Sequence, residues 1–338
     1  MITAAQYNFF EHKFKSPMAI KGNLLGKKQG YFLNLIDSKG NVGVGELSPL
    51  AGLSSKSLTE VKADMGHVLG QILKTPINLL QIDFKKPYFN LFDIENHDSN
   101  ILFCIEGALL SLLETAHPEI LKAFFKLQDF DLSVPLNGLF IDEELEKTME
   151  GWESQGLKDI KIKIGRRSIK EDLALIWKIY RKTKGKINLR LDANQNFDLE
   201  DFSFFAKNLP LQVIDYVEDP VREIDQIDTD LKIPIALDET LQNFQHLKSP
   251  HVKAWVIKPS LAGGFSKAIE LIEEGVKRDI KIVISSAFES NLSLRYLALL
   301  AHYQNTFTAT ACGLDTFRHF INDESRRKPY IKRGNIHF

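Results

Sequence analysis

Two lysines alternate with isoleucines in DIKIKIG, residues 159–165, and three later segments each end in an acid: LRLDAN at Asp192, DYVEDP at Glu218 and IALDET at Asp238. A further segment, WVIKPS, ends at Lys258. Alternate side chains of a strand face opposite ways, so Lys161 and Lys163 share one face and Ile160, Ile162 and Ile164 the other. Carboxylates on neighbouring strand ends repel, and two like charges about 4 Å apart cost roughly 4 kcal/mol at an effective dielectric near 20. Such a set needs a cation or protons. Three hard oxygen donors suit Mg²⁺, with Mn²⁺ as the alternative, and the lack of histidine or cysteine at these strand ends argues against zinc. The plainer alternative is that each acid caps the following helix or pairs with a nearby lysine.

A cation beside a substrate carboxylate acidifies the hydrogen on the adjoining carbon and stabilises the enediolate left when it departs. A lysine placed there acts as base once its pKa falls from about 10.4 toward roughly 7–8. We assign Lys163 as the base and Lys161 as the neighbouring charge that tunes it. Lys258 is the cation or second acid/base across the mouth. Asn194, two residues past Asp192, is placed near the metal or in the turn that follows.

The elements that must position these residues follow from the pattern. Eight short strand candidates alternate with amphipathic helices: 132–137, 160–164, 187–193, 213–218, 233–238, 254–258, 281–285 and 308–312. That rhythm predicts a closed parallel α/β barrel with its site at the carboxyl ends of the strands. Its isoleucines then face the helices and its lysines the interior, where burial requires anions nearby. Upstream, 31–37 and 42–47 flank SKGN as a hairpin, 57–73 and 100–116 read as helices, and KGNLLGKKQG (21–30) reads as a mobile, solvated loop, the alternative being that its lysines attract a doubly anionic substrate. GNVGVG (40–45) belongs to the hairpin and opens no helix, so it is no nucleotide fingerprint. The expected organisation is an α+β capping domain over 1–130, the catalytic barrel over 131–312, and a segment 313–338 packing back on the cap.

With 338 residues and a net charge of -1, no overall field favours nucleic acid or an acidic membrane. Two distant cysteines, Cys104 and Cys312, form no zinc spacing and point to a reducing compartment. No signal peptide is expected at the start, nor any apolar run of about 18 residues for a membrane span. A cytoplasmic location is the expectation. The sequence leaves the oligomeric state open.

The set KIKIG, LRLDANQ, VEDP, ALDET and VIKPS resembles the enolase superfamily, muconate-lactonizing subgroup, in which lysine-base, Mg²⁺-assisted enolisation is an established pattern. The resemblance spans nearly the whole chain and implies a modified TIM barrel with an α+β cap completed by the C-terminal tail. Within that subgroup GELSPLAGLS (45–54), ISSAFESNLSL (284–294) and CGLDTF (312–317) are similar to o-succinylbenzoate synthases, the dehydratases of menaquinone synthesis. The resemblance implies syn elimination of water from 2-succinyl-6-hydroxy-2,4-cyclohexadiene-1-carboxylate. Lys163 would take the α-proton and return it to the leaving hydroxyl, and Lys258 would remain a cation. Ser285 and Ser286 would meet the succinyl carboxylate, and Gly263 and Gly264 would approach an anion or form a tight turn. Dipeptide epimerases of the family carry an Asp-x-Asp pair where this chain reads Gly313, Leu314, Asp315, so the first acid is missing. Asp219 stands where relatives often have another glutamate, a difference expected to have little consequence. The competing readings are a racemase of N-acylamino acids or dipeptide epimerase using the same lysines, and, from another class, a non-catalytic metal-binding protein.

Overall fold

The computed structural model describes residues 1–96, 98–141, 144–242 and 249–338. The chain begins with a long antiparallel ribbon, β1 (Ile2–Ile20) and β2 (Asn23–Asp37), completed by β3 (Val42–Leu47). Ile20 pairs with Asn23, so Lys21 and Gly22, with φ of 45° and 79°, form a two-residue turn of the left-handed kind that hairpins favour. The segment 21–30 is therefore this turn and the first half of β2, not the mobile loop expected. Its polar, glycine-rich residues lack strand periodicity because pairing with β1, not a buried face of their own, holds them. The turn between β2 and β3 lies where SKGN predicts it.

Three helices follow: α1 (Leu58–Ile72), capped by Ser57 and Glu60 reciprocally, α2 (Ser99–Ala116) and α3 (Pro118–Phe125). The helix α2 corrects the membrane expectation in one respect. Its length and mean hydropathy of 1.3 suffice for a span, although 78% of it is buried inside the protein. It packs on β3 so closely that a Cβ at Gly43 or Gly45 would collide with the helix backbone at Ala108 or Cys104. That contact accounts for the last two glycines of GNVGVG, while Gly40 serves the turn with φ 82°.

After β4 (Ser133–Pro135), the barrel runs in chain order through β5 (Asn137–Phe140), α4 (Leu145–Gln155), β6 (Asp159–Lys163), α5 (Ile169–Thr183), β7 (Asn188–Asp192) and α6 (Leu199–Lys207). It continues with β8 (Ile214–Glu218), β9 (Ile235–Leu237), β10 (Val252–Ile257), α7 (Pro259–Ala262), α8 (Gly264–Lys277), β11 (Lys281–Ile284) and α9 (Asn291–Asn305). Among the described residues seven strands, β5 to β11, form one parallel sheet in sequence order. Cys312 bridges Leu136 and Gly313 bridges Ser285, which closes the ring.

Two strand expectations change. The eighth strand shrinks to those two bridges. Thr308 and Thr310 are engaged by Gln304 and Asn305 in ending α9. The first expected strand divides at Leu136: β5 enters the barrel, and β4 pairs with the hairpin β12 (Tyr330–Lys332) and β13 (Asn335–His337). The tail also meets the cap, where Phe320 bridges Phe14. Between β8 and β9 there is a 3₁₀ turn at Ile224–Gln226 in place of a helix. The result is a modified (β/α) barrel with an α+β cap, the expected fold class.

The two faces of the strands separate as the lysine pattern requires. Ile160 and Ile162 join the main core with the helices, while Tyr216, Ala236, Ala254, Val256 and Val283 form a separate small cluster inside the ring. Arg190 fills the space beside it, stacking on Tyr216 and donating to Asn137 Oδ1 and the Ala311 carbonyl, both at 2.8 Å.

Cap and barrel meet at a buried carboxyl. Glu106 of α2 accepts from Tyr88 N–H at 2.9 Å, and from Ser266 of α8 through its N–H at 2.9 Å and its hydroxyl at 2.7 Å. Burial outweighs these bonds and raises its pKa from 4.5 to about 7. The folded state then binds this proton more tightly than the unfolded chain. Its stabilising contribution should decline as pH climbs from about 4.5 to 7, by about 3 kcal/mol in total. Urea midpoints measured across that range should fall more steeply for the wild type than for Glu106→Gln.

Candidate active site

The register of the ring explains how the site assembles. Lys163 pairs with Asp192, and Asp192 with Glu218, so three strand ends lie in one row. On β9 the partner of Glu218 is Ala236, and Asp238 stands two residues farther on the same face, a step up that staggered strands produce. The strands β6 and β10 lie across the ring from one another, with β7, β8 and β9 between them on one side. Lys163 and Lys258 therefore reach the mouth from opposite walls, and both line a cavity of about 1190 Å³.

Each acid meets an ammonium. Lys161 Nζ lies 2.6 and 2.8 Å from the two oxygens of Glu218 and 2.8 Å from Asp192 Oδ2. Lys163 Nζ lies 2.6 Å from Asp192 Oδ2 and 2.5 Å from Asn194 Oδ1, and Lys258 pairs with Asp238. Both readings of the acids thus have structural substance: they converge, and they hold lysines. Among the described residues no group of three His, Cys, Asp or Glu side chains is already gathered as a ready-made cation cage, and the Lys161 ammonium stands between Asp192 and Glu218.

The electrostatics follow from burial and these pairs. Burial opposes ionisation of Asp192, but Lys161, Lys163 and Lys258 hold its pKa far below the usual range. Burial pushes Lys161 down, yet Asp192 and Glu218 together keep it well above its ordinary value. Lys163 is lowered, chiefly by burial, with the charge of Lys161 adding to that against the pull of Asp192. Lys258, facing Asp238, is raised against its burial. The two lysines of one strand therefore differ in direction, because Lys161 touches two carboxylates and Lys163 one.

Asn194 lies in the turn after β7, one of the two roles expected of it, with its side chain against Lys163. Its backbone adopts φ 47° in the turn after β7, its Oδ1 accepts from Lys163, and its Nδ2 donates to Glu239 Oε1 at 3.2 Å. Ser285 and Ser286 line the cavity and donate to the Gly313 carbonyl at 3.2 and 3.4 Å. Gly313 lines it too, and a Cβ there would sit 2.5 Å from Ser285 Oγ, so the close approach of the two segments demands glycine. Gly263 is not on the cavity wall. With Gly264 it forms a turn, at φ 115° and 85°, that breaks α7 from α8. Asp315 is committed to the fold, accepting Leu139 N–H at 3.0 Å and the Arg318 guanidinium.

Several residues of the site escape a reading of strand ends. Lys21, at the tip of the ribbon, lines the cavity and pairs with Glu239 at 3.1 Å, joining cap to barrel across the mouth. Nothing in the local pattern of 21–30 marks it, but Glu239 adjoins Asp238 in LDET. Asp219 is fully buried with φ 38°. It accepts from Asp238 N–H at 3.3 Å, from Thr240 N–H at 3.1 Å and from the Thr240 hydroxyl. It thereby fixes the turn that presents Asp238.

Comparison with known proteins agrees with this architecture. A model of the enolase C-terminal domain-like family matches residues 144–337, more than half of the chain. Among curated proteins, the chain is 27% identical over 342 residues to Protein PHYLLO, chloroplastic, of Arabidopsis thaliana, covering 88% of this chain but 20% of that much longer protein. It is 27% identical over 330 residues to an o-succinylbenzoate synthase of Aliivibrio salmonicida, covering 94% of this chain and 90% of that protein. Among solved structures, MenC from Desulfotalea psychrophila superposes with a TM-score of 0.77 at 23% identity, over the whole of both chains, a likeness of fold.

Replacing Asp219 by alanine would strand two buried N–H groups and a hydroxyl. Asp219→Ala should cost about 2–3 kcal/mol in urea unfolding, and Asp219→Asn, which keeps one acceptor, measurably less.

Proposed function

The chain belongs to the enolase C-terminal domain-like family, and on that footing we propose that it is an o-succinylbenzoate synthase-like dehydratase. Its substrate would be 2-succinyl-6-hydroxy-2,4-cyclohexadiene-1-carboxylate, within cytoplasmic menaquinone biosynthesis. The observation that carries this reading is the opposition of Lys163 and Lys258, each paired with a strand-end acid, across a cavity whose far wall bears Ser285 and Ser286. The similarity to o-succinylbenzoate synthases over nine-tenths of both chains supports it.

The donor chemistry fits Mg²⁺, with Mn²⁺ second. Three carboxylates stand at the ends of consecutive strands, paired with Lys161, Lys163 and Lys258, which line the cavity, and no cysteine is among its described lining residues. Asp192, Glu218 and Asp238 would hold the ion. When bound, it supplies positive charge that stabilises the substrate carboxylate as negative charge builds on it.

The protein's own groups do the rest. Lys163 Nζ removes the proton from the carbon bearing the carboxylate, and the electrons of that C–H bond enter the carboxylate as an enediolate. Their return forms the new ring double bond and expels the hydroxyl, which Lys163 protonates as it leaves as water. One group serves both steps, so the elimination is syn. Lys258 remains protonated opposite and stabilises the enediolate by its charge. Lys161, fixed between Asp192 and Glu218, keeps those carboxylates in place. The ribbon tip at Lys21 bounds the mouth and limits water.

In an assay following loss of absorbance of the cyclohexadiene substrate with Mg²⁺, the wild type should turn over. Lys163→Ala should lower kcat by about 10³-fold, within the range for loss of a general base. A protein that leaves this substrate intact and racemises N-acylamino acids instead would overturn the proposal. Removal of divalent metal by a chelator should abolish turnover, and Asp192→Asn should raise the Mg²⁺ concentration needed by about 10–100-fold, read from the metal dependence of the rate.

A further inference from the structure

The proposal here rests on the dehydratase reading and concerns the arm of its substrate. The loop after β11 offers Ser285, Ser286, Ala287 and Phe288 to the cavity. Phe288 adopts φ 60°, a left-handed conformation that bulky side chains avoid and that surrounding structure must enforce. Its ring is packed edge-on against Phe14 of the cap, at 5.4 Å between centroids.

The backbone on either side of Phe288 is tied to the cap by charge. Lys28 of β2 is only 3% exposed, and its Nζ donates to the Ala287 carbonyl at 3.1 Å. It lies 3.8 Å from Glu46 of β3. Glu289, equally buried, accepts Ala287 N–H at 2.6 Å and the Ser260 hydroxyl. Glu46 in turn accepts from Ser290 through its N–H at 3.0 Å and its hydroxyl at 2.6 Å. One ammonium and two carboxylates, all out of water, thus clamp Ala287, Glu289 and Ser290 around the strained residue. None of them touches the row of Lys161, Lys163 and Lys258. A cluster of this kind would be costly to bury for stability alone, since apolar residues of similar size do as well or better.

We propose that Lys28 is a positioning residue for substrate selection: its buried ammonium holds the Ser285–Phe288 loop in the shape that receives the distal carboxylate arm of the substrate. The ring carboxylate and the α-proton are handled elsewhere, by the strand-end lysines and acids. Loss of Lys28 therefore weakens ligands that carry the arm and spares those that do not.

Competitive inhibition by o-succinylbenzoate, which carries the arm, and by benzoate, which lacks it, reads this out in the full-length protein with Mg²⁺. Lys28→Met should weaken o-succinylbenzoate about tenfold and raise KM similarly, while benzoate inhibition and kcat change by about twofold or less. Lys28→Arg should restore most of the difference. If Lys28→Met fails to fold, Glu289→Gln and Ser260→Ala loosen the same clamp from its other side and should show the same selective loss. Variants that weaken both ligands equally, or neither, overturn the role of Lys28 while the dehydratase reading stands. A wild type that binds neither ligand and does not turn over overturns both.

Discussion

Like charges in a confined space set the terms for this protein. Asp192, Glu218 and Asp238 are carried to one end of the barrel by strands that hydrogen-bond in register, and all are at least nine-tenths buried. Such carboxylates cannot remain ionised together without cations between them. The ring supplies ammonium groups from two of its walls, Lys161 and Lys163 from one and Lys258 from the other. The alternation of IKIKI, residues 160–164, is the local condition for this, because it sends isoleucines to the helices and lysines to the interior. The same parity places Arg190, Tyr216 and the small residues Ala236 and Ala254 below the mouth. These form a packed floor beneath a charged upper layer.

Much of this was legible in the sequence because strand ends in a parallel barrel carry their own punctuation. A short β-branched run followed by Asp, Glu or Lys identifies both the element and the face of its last residue. Positions whose structure is imposed by a distant partner were not legible. Residues 21–30 become a strand through pairing with β1, and their polar character reads locally as a loop. Thr308–Thr310 look like a strand but serve to terminate α9, which leaves Cys312 and Gly313 to close the ring. Asp219 owes its importance to a turn geometry that places Thr240 and the Asp238 amide around it. Gly263 shows the converse: a glycine pair at a helix start suggests anion binding, while the backbone uses it to separate two helices.

The division of labour between cap and barrel follows from the same distinction. The barrel residues reach the mouth through backbone register, which fixes their spacing by hydrogen-bonded strands. The cap reaches it through long side chains and a hairpin tip, as when Lys21 meets Glu239. Contacts of the first kind suit the bond-making steps, where small displacements are costly. Contacts of the second kind suit the outline of the cavity. The helix α2, long and apolar enough for a membrane, takes its character from this arrangement, since it must be covered by β3 on one side and by α7 and α8 on another.

The lysines and acids alone do not choose a reaction. A base, an opposed cation and a carboxylate-binding centre can move a proton on many carboxylic acids, and racemisation and dehydration begin with the same step. What differs is the group lying beside the carbanion and the surface that orients the remainder of the substrate. On the proposal above, that surface in this chain is the loop carrying Phe288 with φ 60°, held by Lys28 and Glu46 of the cap and by its own Glu289. A strained loop keeps one shape only while its clamp is intact, because the strain favours relaxation as soon as a tie is lost. On the proposal above, selectivity is stored in the buried contacts that Lys28, Glu46 and Glu289 make with Ala287 and Ser290, apart from the residues that would break and form bonds. Two proteins with identical strand ends can accept different substrates for this reason, and the cap strand is where such a difference would be written.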